Sequence, residues 1–349
     1  MANYVPSNLL AAQVNLTGRF QAGEMRYRDP VVFKSLIRNQ SLIMEEDYST
    51  MRTREDRAVQ LNFFNRMTRT LGSGRSHTHT GTKGDTTIVT PSFSTKSDVF
   101  LNSLKTADNN KRSFQAMFEK NLENSFINFA EGVEVLASTF LFSNRSGVNG
   151  VTQEGSFDTT NDVFEIAVAD EARAVQISRM VMDILKYQGM LFDIYCDSIS
   201  FNKFEYLRAQ GSSNDINTEF QFTNGSLTFY HASDLNALVA PLGTGAYTKG
   251  FWLIVPSGMA AAFDWIPKQN REGVASTSIG GVAEYGNIIN PIDGLVYATH
   301  KTWVGANGTS TNGYTQDVNE SIEISNDYSF ESAPLTTANE TVIQAFAIV

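Results

Sequence analysis

Cysteine is almost absent from this chain of 349 residues, and the only one is Cys196. A single cysteine excludes an intramolecular disulfide framework and is typical of a reducing compartment. Cys196 ends the apolar segment 191–196, so we interpret it as a buried structural thiol and not as a nucleophile. No run of about 18 apolar residues occurs, so we expect no membrane-spanning segment. The first twenty residues also lack a basic n-region, and we expect no secretory signal.

Sequence motifs for catalysis and nucleotide binding are also missing. The glycines at 72–74 and 81–84 lack the spacing of a phosphate-binding loop, and no buried strand leads into them. Ser257 follows an apolar strand but lies in Val-Pro-Ser-Gly, which is not the pattern of a nucleophile elbow. His231 and His300 are isolated in strand-like segments. We therefore predict that the protein is not an enzyme and has no catalytic residue, no cofactor and no metal ligand.

One pair of histidines is an open question for metal binding. His77 and His79 lie two residues apart and would share a side of a strand, but a complete site needs a third and a fourth ligand. Asp85 is the nearest carboxylate in the sequence. Copies of the chain around a symmetry axis would supply the missing ligands; otherwise the two are exposed loop histidines.

Charge is distributed unevenly along the chain, whose formal net charge is −10. Residues 1–85 carry 12 basic and 8 acidic residues, so the remainder is strongly acidic. A basic arm and an acidic body suit contact between copies, although a solvated surface without a partner is the simpler reading. We predict intersubunit contacts for the basic residues of this arm: Arg52, Arg54, Arg57, Arg66, Arg69, Arg75, His77 and His79. Nucleic-acid binding is the alternative, with Phe63 and Phe64 as stacking groups.

A long amphipathic helix is predicted over residues 110–143. Apolar side chains recur there in steps of three and four residues, and polar residues fill the intervening positions. The stripe consists of Phe114, Phe118, Leu122, Phe126, Phe129, Val133, Leu136 and Phe140. It does not keep a strict heptad, and no second helix of similar length exists for a bundle. We therefore expect a spine helix packed on β-structure.

The segment before this helix is predicted to project from the body. Residues 71–84 are rich in glycine and have almost nothing to bury, which is typical of a flexible tip. The β-branched residues 86–90 predict a strand, and 59–67 is its candidate partner. Together these features predict a long β-hairpin or loop, and loops of this length are usually functional.

The remaining chain predicts a mixed α/β region followed by strands. Residues 1–45 are interpreted as an extended arm with one small helix begun by Pro30. Helical patterns cover 170–188, a segment from Ser198 or Ser200 to Gly211, and 258–265. Apolar runs at 191–196, 227–231 and 251–255 predict strands covered on both faces. From Gly273 onward β signals dominate, at 287–289, 295–299, 302–304, 321–324 and 341–349.

In organisation the sequence resembles the major capsid protein of tailed bacteriophages, with the Hong Kong 97-like fold. The resemblance implies an α+β fold with an N-terminal arm, an extended loop, a long spine helix and a central α/β axial domain. It divides the chain into an arm (1–45), an extended β-hairpin loop (46–98), a peripheral domain with the spine helix (99–165), an axial domain (166–310) and strands that return to the peripheral domain (311–349). No short motif carries the resemblance; it rests on the order of these segments.

The resemblance also implies a function. Copies would self-assemble through hexamers and pentamers into an icosahedral head around double-stranded DNA, which they would contact without reading its sequence. Portal, scaffold and decoration proteins would be further partners, and no membrane would be involved. The protein would be found in the virion after assembly in the host cytoplasm.

The sequence leaves three alternatives for the class of protein. A double jelly-roll capsid protein would have two sets of about eight strands and little helix. An α/β hydrolase-like enzyme would use Ser257 with His231 or His300. A phage tail-tube or other structural ring protein would be mostly β and would lack the long helix.

Overall fold

The structure is a computed structural model that describes residues 7–39, 60–64, 86–103, 114–187, 191–211, 221–224, 226–272, 274–276, 283–306, 317–335 and 339–349. The α-helices of these residues are α1 (Ser7–Gln21), α2 (Val31–Arg38), α3 (Phe114–Ser143), α4 (Ala174–Ile184), α5 (Ser198–Gly211), α6 (Leu235–Val239) and α7 (Lys268–Glu272). Two 3₁₀ helices cover Val168–Arg173 and Leu242–Gly245.

The strands form three sheets. Their bounds are β1 (Leu61–Phe64), β2 (Thr86–Val89), β3 (Ser94–Ser103), β4 (Ser156–Asp158), β5 (Val163–Ile166), β6 (Phe192–Cys196), β7 (Gln221–Asn224), β8 (Leu227–His231), β9 (Phe251–Pro256), β10 (Ala260–Trp265), β11 (Val274–Ser276), β12 (Ala283–Ile289), β13 (Val296–Ala306), β14 (Asp317–Ser332) and β15 (Gln344–Ile348). β1 and β2 form a two-stranded ribbon.

The two larger sheets combine strands from distant parts of the sequence. The first sheet has six strands in the order β10-β14-β13-β12-β11, and β3 pairs with β14. The second sheet has seven strands in the order β4-β5-β15-β9-β6-β8-β7. Within it β6 and β8 are parallel, whereas β9 runs antiparallel to β6. β12 and β13 therefore belong to the sheet that also holds β3 and β14.

The predicted spine helix is confirmed as α3, whose 30 residues span roughly 45 Å. Its phenylalanine stripe lies on the first sheet: Phe118 meets Phe100 of β3, with ring centroids 5.8 Å apart, and Phe140 stacks on Phe330 of β14. By length and composition alone α3 is apolar enough to cross a membrane, but 50% of its apolar window is buried inside the protein. These contacts are those of a core helix.

The N-terminal arm is more helical than predicted. α2 begins directly after Pro30, as predicted, but 7–21 forms helix α1 where we expected extended chain. Leu9, Ala12 and Leu16 are all buried in the main core. Their spacing of three and four residues is the helical signal, and it was obscured by apolar residues on the exposed side, Leu10 and Val14.

The predicted helix over 258–265 is wrong, because this segment forms strand β10. All six residues of β10 are buried, and it pairs antiparallel with β14 from Ala260↔Ser332 to Trp265↔Asp327. Gly258 adopts a φ of 81°, which turns the chain from β9 into β10. The alanines favour a helix locally, but the β14 partner is available only in the folded chain.

Several other segments shift their bounds. The predicted helix over 170–188 begins as the 3₁₀ turn Val168–Arg173 and becomes α-helical only over Ala174–Ile184. The two short strands expected at 295–299 and 302–304 are one strand, Val296–Ala306. By contrast, β6, β8 and β9 match their predicted segments, and Cys196 is buried as expected.

Candidate interaction surfaces

The residues predicted to contact other subunits lie outside the described part of the chain. These are Arg52, Arg54, Arg57, Arg66, Arg69, Arg75, His77 and His79. Their intersubunit role therefore stays a prediction. The described residues do include the two strands between which five of them occur in the sequence.

Those strands are β1 and β2, and they confirm that residues 86–90 pair with the segment 59–67. They are antiparallel, with Leu61 opposite Val89 and Phe64 opposite Thr86. The strands are adjacent in the sequence except for residues 65–85, which lie outside the described part of the chain. Ile88 of β2 is 57% exposed. The ribbon thus presents an apolar side chain and belongs to neither of the larger sheets.

Strand β3, which follows the ribbon in the chain, lies at an edge of the first sheet. It pairs with β14 from Ser94↔Tyr328 to Ser103↔Asn319, while β13 and β10 pair with the other side of β14. In the described ranges no strand pairs with the far side of β3. An open strand edge offers its backbone N–H and C=O groups for pairing with another chain.

The side chains of β3 divide between two faces. Phe100 points toward α3, whereas Val99 and Leu101 are 57% and 60% exposed on the opposite face. Alternation of this kind follows from the two-residue period of a strand. Two large aliphatic groups at an open edge indicate a surface that gains free energy when it is covered.

A groove separates the edge strand from the spine helix. It has a volume of about 410 Å³ and is lined by Lys96, Ser97 and Asp98 on β3 and by Asn128, Phe129, Gly132, Val133, Val135 and Leu136 on α3. Val135 is 47% exposed there. A Cβ built on Gly132 would meet no atom within 4 Å, so the groove is open above this residue. The open strand edge and the groove adjoin each other at residues 96–98.

Helix α1 is held on the spine by charged and polar pairs. Arg19 Nη1 lies 2.9 Å from Glu123 Oε2, and Asn15 donates to Glu119 across 2.9 Å. Glu123 is almost fully buried and also meets Lys120 at 3.1 Å. Burial opposes ionisation of this carboxyl, but the hydrogen bonds from Lys120 and Arg19 outweigh it and lower the pKa of Glu123.

Helix α2 is capped by a side chain of the spine. Its N-terminal neighbour Pro30 makes no side-chain cap, so the first N–H groups of the helix need another acceptor. Glu134 supplies it: Oε1 accepts from the Val32 N–H at 3.1 Å and Oε2 from the Phe33 N–H at 3.0 Å. Glu134 is 1% exposed, and its burial raises its pKa to about 7 against these bonds.

The same arm also binds the second sheet. Arg28 donates two parallel hydrogen bonds to Asp234, directly before α6, at 2.8 and 2.7 Å. These bonds raise the pKa of Arg28. Ser35 and Tyr195 of β6 share a hydrogen bond of 2.8 Å between their hydroxyl groups. Bidentate arginine–carboxylate pairs are among the strongest side-chain contacts, because geometry and charge act together.

The residues proposed for a hydrolase are not brought together. Ser257 hydrogen-bonds Asp193, which is a buried carboxylate with a raised pKa. His231 instead lies with Nε2 3.0 Å from Ser198 Oγ, and its ring stacks on Phe201. His300 stacks on Tyr285, with centroids 4.6 Å apart. This placement does not favour the enzyme alternative.

The described residues do not form a metal site. Over the ranges that the structure describes, no group of three or more histidine, cysteine, aspartate or glutamate side chains is placed to hold a metal ion. His77 and His79 lie outside those ranges. The possibility that copies share a metal at a symmetry axis is therefore not tested.

Comparison with known proteins finds similarity only at the level of structure. No protein-family model and no curated protein matches the sequence. The capsid asymmetric unit of cyanophage Pam1 is similar with a TM-score of 0.54 and 11% identity, covering 93% of this chain and 93% of that chain. The capsid structure of cyanophage P-SCSP1u has a TM-score of 0.51 and 11% identity, covering 100% of this chain and 99% of that one. The predicted α+β capsid fold is confirmed.

Proposed function

We propose, starting from a fold shared along nearly the whole chain with two cyanophage capsids, that this protein is the major capsid protein of a tailed phage. Its copies self-assemble into an icosahedral head that encloses double-stranded DNA. The similarity to Pam1 and P-SCSP1u is the observation that carries this proposal. The long spine helix, which neither a double jelly-roll nor a tail tube would have, agrees with it.

The five segments predicted from the sequence belong to the same proposal. They are an arm (1–45), an extended loop (46–98), a peripheral domain with the spine helix (99–165), an axial domain (166–310) and returning strands (311–349). Hexamers and pentamers would form around the axial domains. Many modest contacts, repeated around each symmetry axis, would give a closed shell its strength.

Contact between neighbours is proposed to join the ribbon β1–β2 of one copy to the edge strand β3 of the next. The ribbon is only two-stranded and exposes Ile88, and isolated hairpins are marginally stable in water. The edge of β3 is open, and Val99 and Leu101 flank it. The two surfaces are different parts of one chain, so the contact is head-to-tail, and such contacts form rings when the rotation between copies closes.

Charge supports the same arrangement. The first 85 residues are net positive and the remainder is strongly negative, so the projecting loop of one copy would be attracted to the body of its neighbour. The predicted contact residues Arg52 to His79 lie in this positive part. An acidic body would also limit adhesion to packaged DNA, because phosphate is attracted by lysine and arginine.

Other partners and the location follow from the role. We propose a structural protein of the virion without catalytic residues or cofactors, assembled in the host cytoplasm. Portal, scaffold and decoration proteins are its expected partners, and its contact with DNA is non-specific.

Negative-stain electron microscopy of the purified chain, with light scattering on the same sample, tests the proposal. We expect shells, or rings of five and six copies. A protein that stays monomeric at all concentrations, both alone and when co-expressed with the neighbouring genes of its phage, would contradict it. Labelling of Ser257 by a serine-reactive probe would then favour the hydrolase alternative.

A further inference from the structure

The arm helix α2 lies where the spine and both large sheets meet. Its first turn is bonded to Glu134 of α3. The Phe33 ring lies edge-on to Tyr328 of β14, in the first sheet, with centroids 5.5 Å apart. Ser35, on the same helix, is hydrogen-bonded to Tyr195 of the second sheet. Eight residues of helix therefore contact all three parts of the body.

Contacts on either side of α2 extend this junction. Before it, Arg28 forms its bidentate pair with Asp234, beside the second sheet. After it, Asn39 donates to Asp193 of β6 at 2.9 Å. The second sheet is thus held to the arm at three successive points, whereas α2 itself is hydrogen-bonded to the spine through Glu134.

Glu134 is unusual among these groups because it is a buried acid that binds only backbone. Its two oxygens accept from consecutive N–H groups at the positive end of the α2 dipole. An apolar residue of similar size would leave these N–H groups without their acceptor, since the helix provides no cap of its own. Glu134 is therefore the spine side chain that satisfies the first N–H groups of α2, in addition to the apolar packing between the two helices.

We propose that Glu134 and Arg28 are positioning residues that seat α2 as a wedge between the two large sheets and so fix the angle between them. Loss of the Glu134 contact releases α2 from the spine, and loss of the Arg28 contact releases the arm from Asp234 beside the second sheet. The consequence for shell geometry rests on the proposed capsid function: the angle between the sheets determines how neighbouring copies meet, and a freed wedge gives particles of mixed size.

The alternative is that the extensive apolar core alone determines how the two sheets are arranged. The polar contacts would then form within that arrangement without determining it. Leu36 and Val32 of α2 are fully buried in the same core cluster as residues of both sheets. The two ideas differ in one measurable respect. If the core alone decides the angle, loss of the Glu134 cap changes stability but leaves the distance between the sheets unchanged.

Distance measurement by pulsed electron–electron double resonance on the unassembled chain distinguishes the two explanations. Spin labels are placed at T95C on β3 and Y206C on α5, two exposed positions beside different sheets. Cys196 is buried and stays unlabelled in the folded protein. Glu134→Gln, which retains only one acceptor oxygen, and Arg28→Ala are compared with Glu131→Gln, an exposed position on the same helix.

We expect one narrow distance distribution for the parent and for E131Q, and a shifted or about twofold broader one for E134Q and R28A. Identical narrow distributions in all four proteins would overturn the proposal. R28A keeps the test valid if E134Q does not fold, because the Arg28 side chain is partly exposed. Electron microscopy of the unlabelled proteins completes it: broadened distances with particles of parental size would refute the link to shell geometry. A parent that has a narrow distribution but never assembles would refute the capsid function alone.

Discussion

The ring of Phe129 on the spine helix lies edge-on to the ring of Tyr297 on β13, with centroids 4.7 Å apart. Tyr297 in turn donates a hydrogen bond of 2.6 Å to Asp293 and accepts one of 2.9 Å from Tyr328 on the adjacent strand. Burial raises the pKa of Asp293 to about 6. Phe129 of the phenylalanine stripe therefore packs on a tyrosine that hydrogen bonds hold in place within the first sheet.

Replacing Phe126 by Asp should abolish soluble folded protein. Phe126 is fully buried in the middle of the stripe, and the change removes its packing and places a carboxylate in an apolar seam. Loss of the packing alone costs about 3–5 kcal/mol. Val135→Asp is the matched control, because Val135 lies on the same helix and is 47% exposed. Circular dichroism and thermal unfolding measure both variants, and parental unfolding of F126D would mean that the spine is not buried as described.

Deletion of residues 72–84 should leave the fold intact and weaken or block assembly. These residues lie between β1 and β2 in the sequence, and the body is built from elements outside the ribbon. Thermal unfolding reports on the fold and electron microscopy on assembly. A deletion variant that does not fold would show that the loop interpretation is wrong.

The edge strand can be tested separately from the loop. Lysine at both Val99 and Leu101 should preserve the fold, since these side chains are more than half exposed, and should raise the protein concentration needed for assembly. Loss of about 1.4 kcal/mol per contact corresponds to a tenfold weaker association. Val168→Lys, at an exposed apolar position outside the first sheet, is the control. Equal assembly of the double variant and the control would remove β3 from the proposed interface.

The protonation of Glu134 should make the stability of the folded protein decrease as the pH rises. Its pKa is about 7 in the folded protein against 4.5 for an ordinary glutamate, so the folded state binds the proton more tightly than the unfolded state does. Its contribution is fully present below pH 4.5 and is lost as the pH rises through 7, a change on the order of 3 kcal/mol. Burial is the main cause of the raised pKa, and of the nearby charged groups Arg28 lowers it and Asp234 raises it.

Urea unfolding at pH 5, 6, 7 and 8 measures this effect. The free energy of unfolding of the parent should fall more steeply over this range than that of E134Q, which has no proton to lose. Asp293 contributes a slope of the same sign to both proteins, so the difference between the two curves isolates Glu134. Parallel curves would contradict the prediction, and E131Q should follow the parent.

Much of the secondary structure follows from local sequence. The residues that make tertiary contacts cannot be identified in the same way. The spacing of apolar side chains determined α3, and the short apolar runs determined β6, β8 and β9, because side-chain period and β-branching act within a few residues of the chain. The charge distribution likewise predicted contact between copies. The residues predicted to make that contact, from Arg52 to His79, lie outside the described structure.

Tertiary structure decided what depends on a distant partner. Residues 260–265 form a strand because β14 pairs with their backbone, and β3 is an edge because β14 pairs with one of its sides and no described strand pairs with the other. In the sequence Glu134 is one of the polar residues between the apolar positions of the spine, which predicts exposure to solvent. In the structure it is buried and caps a helix about one hundred residues earlier in the chain. Such roles are set by which surfaces meet on folding, and no local period of the sequence records them.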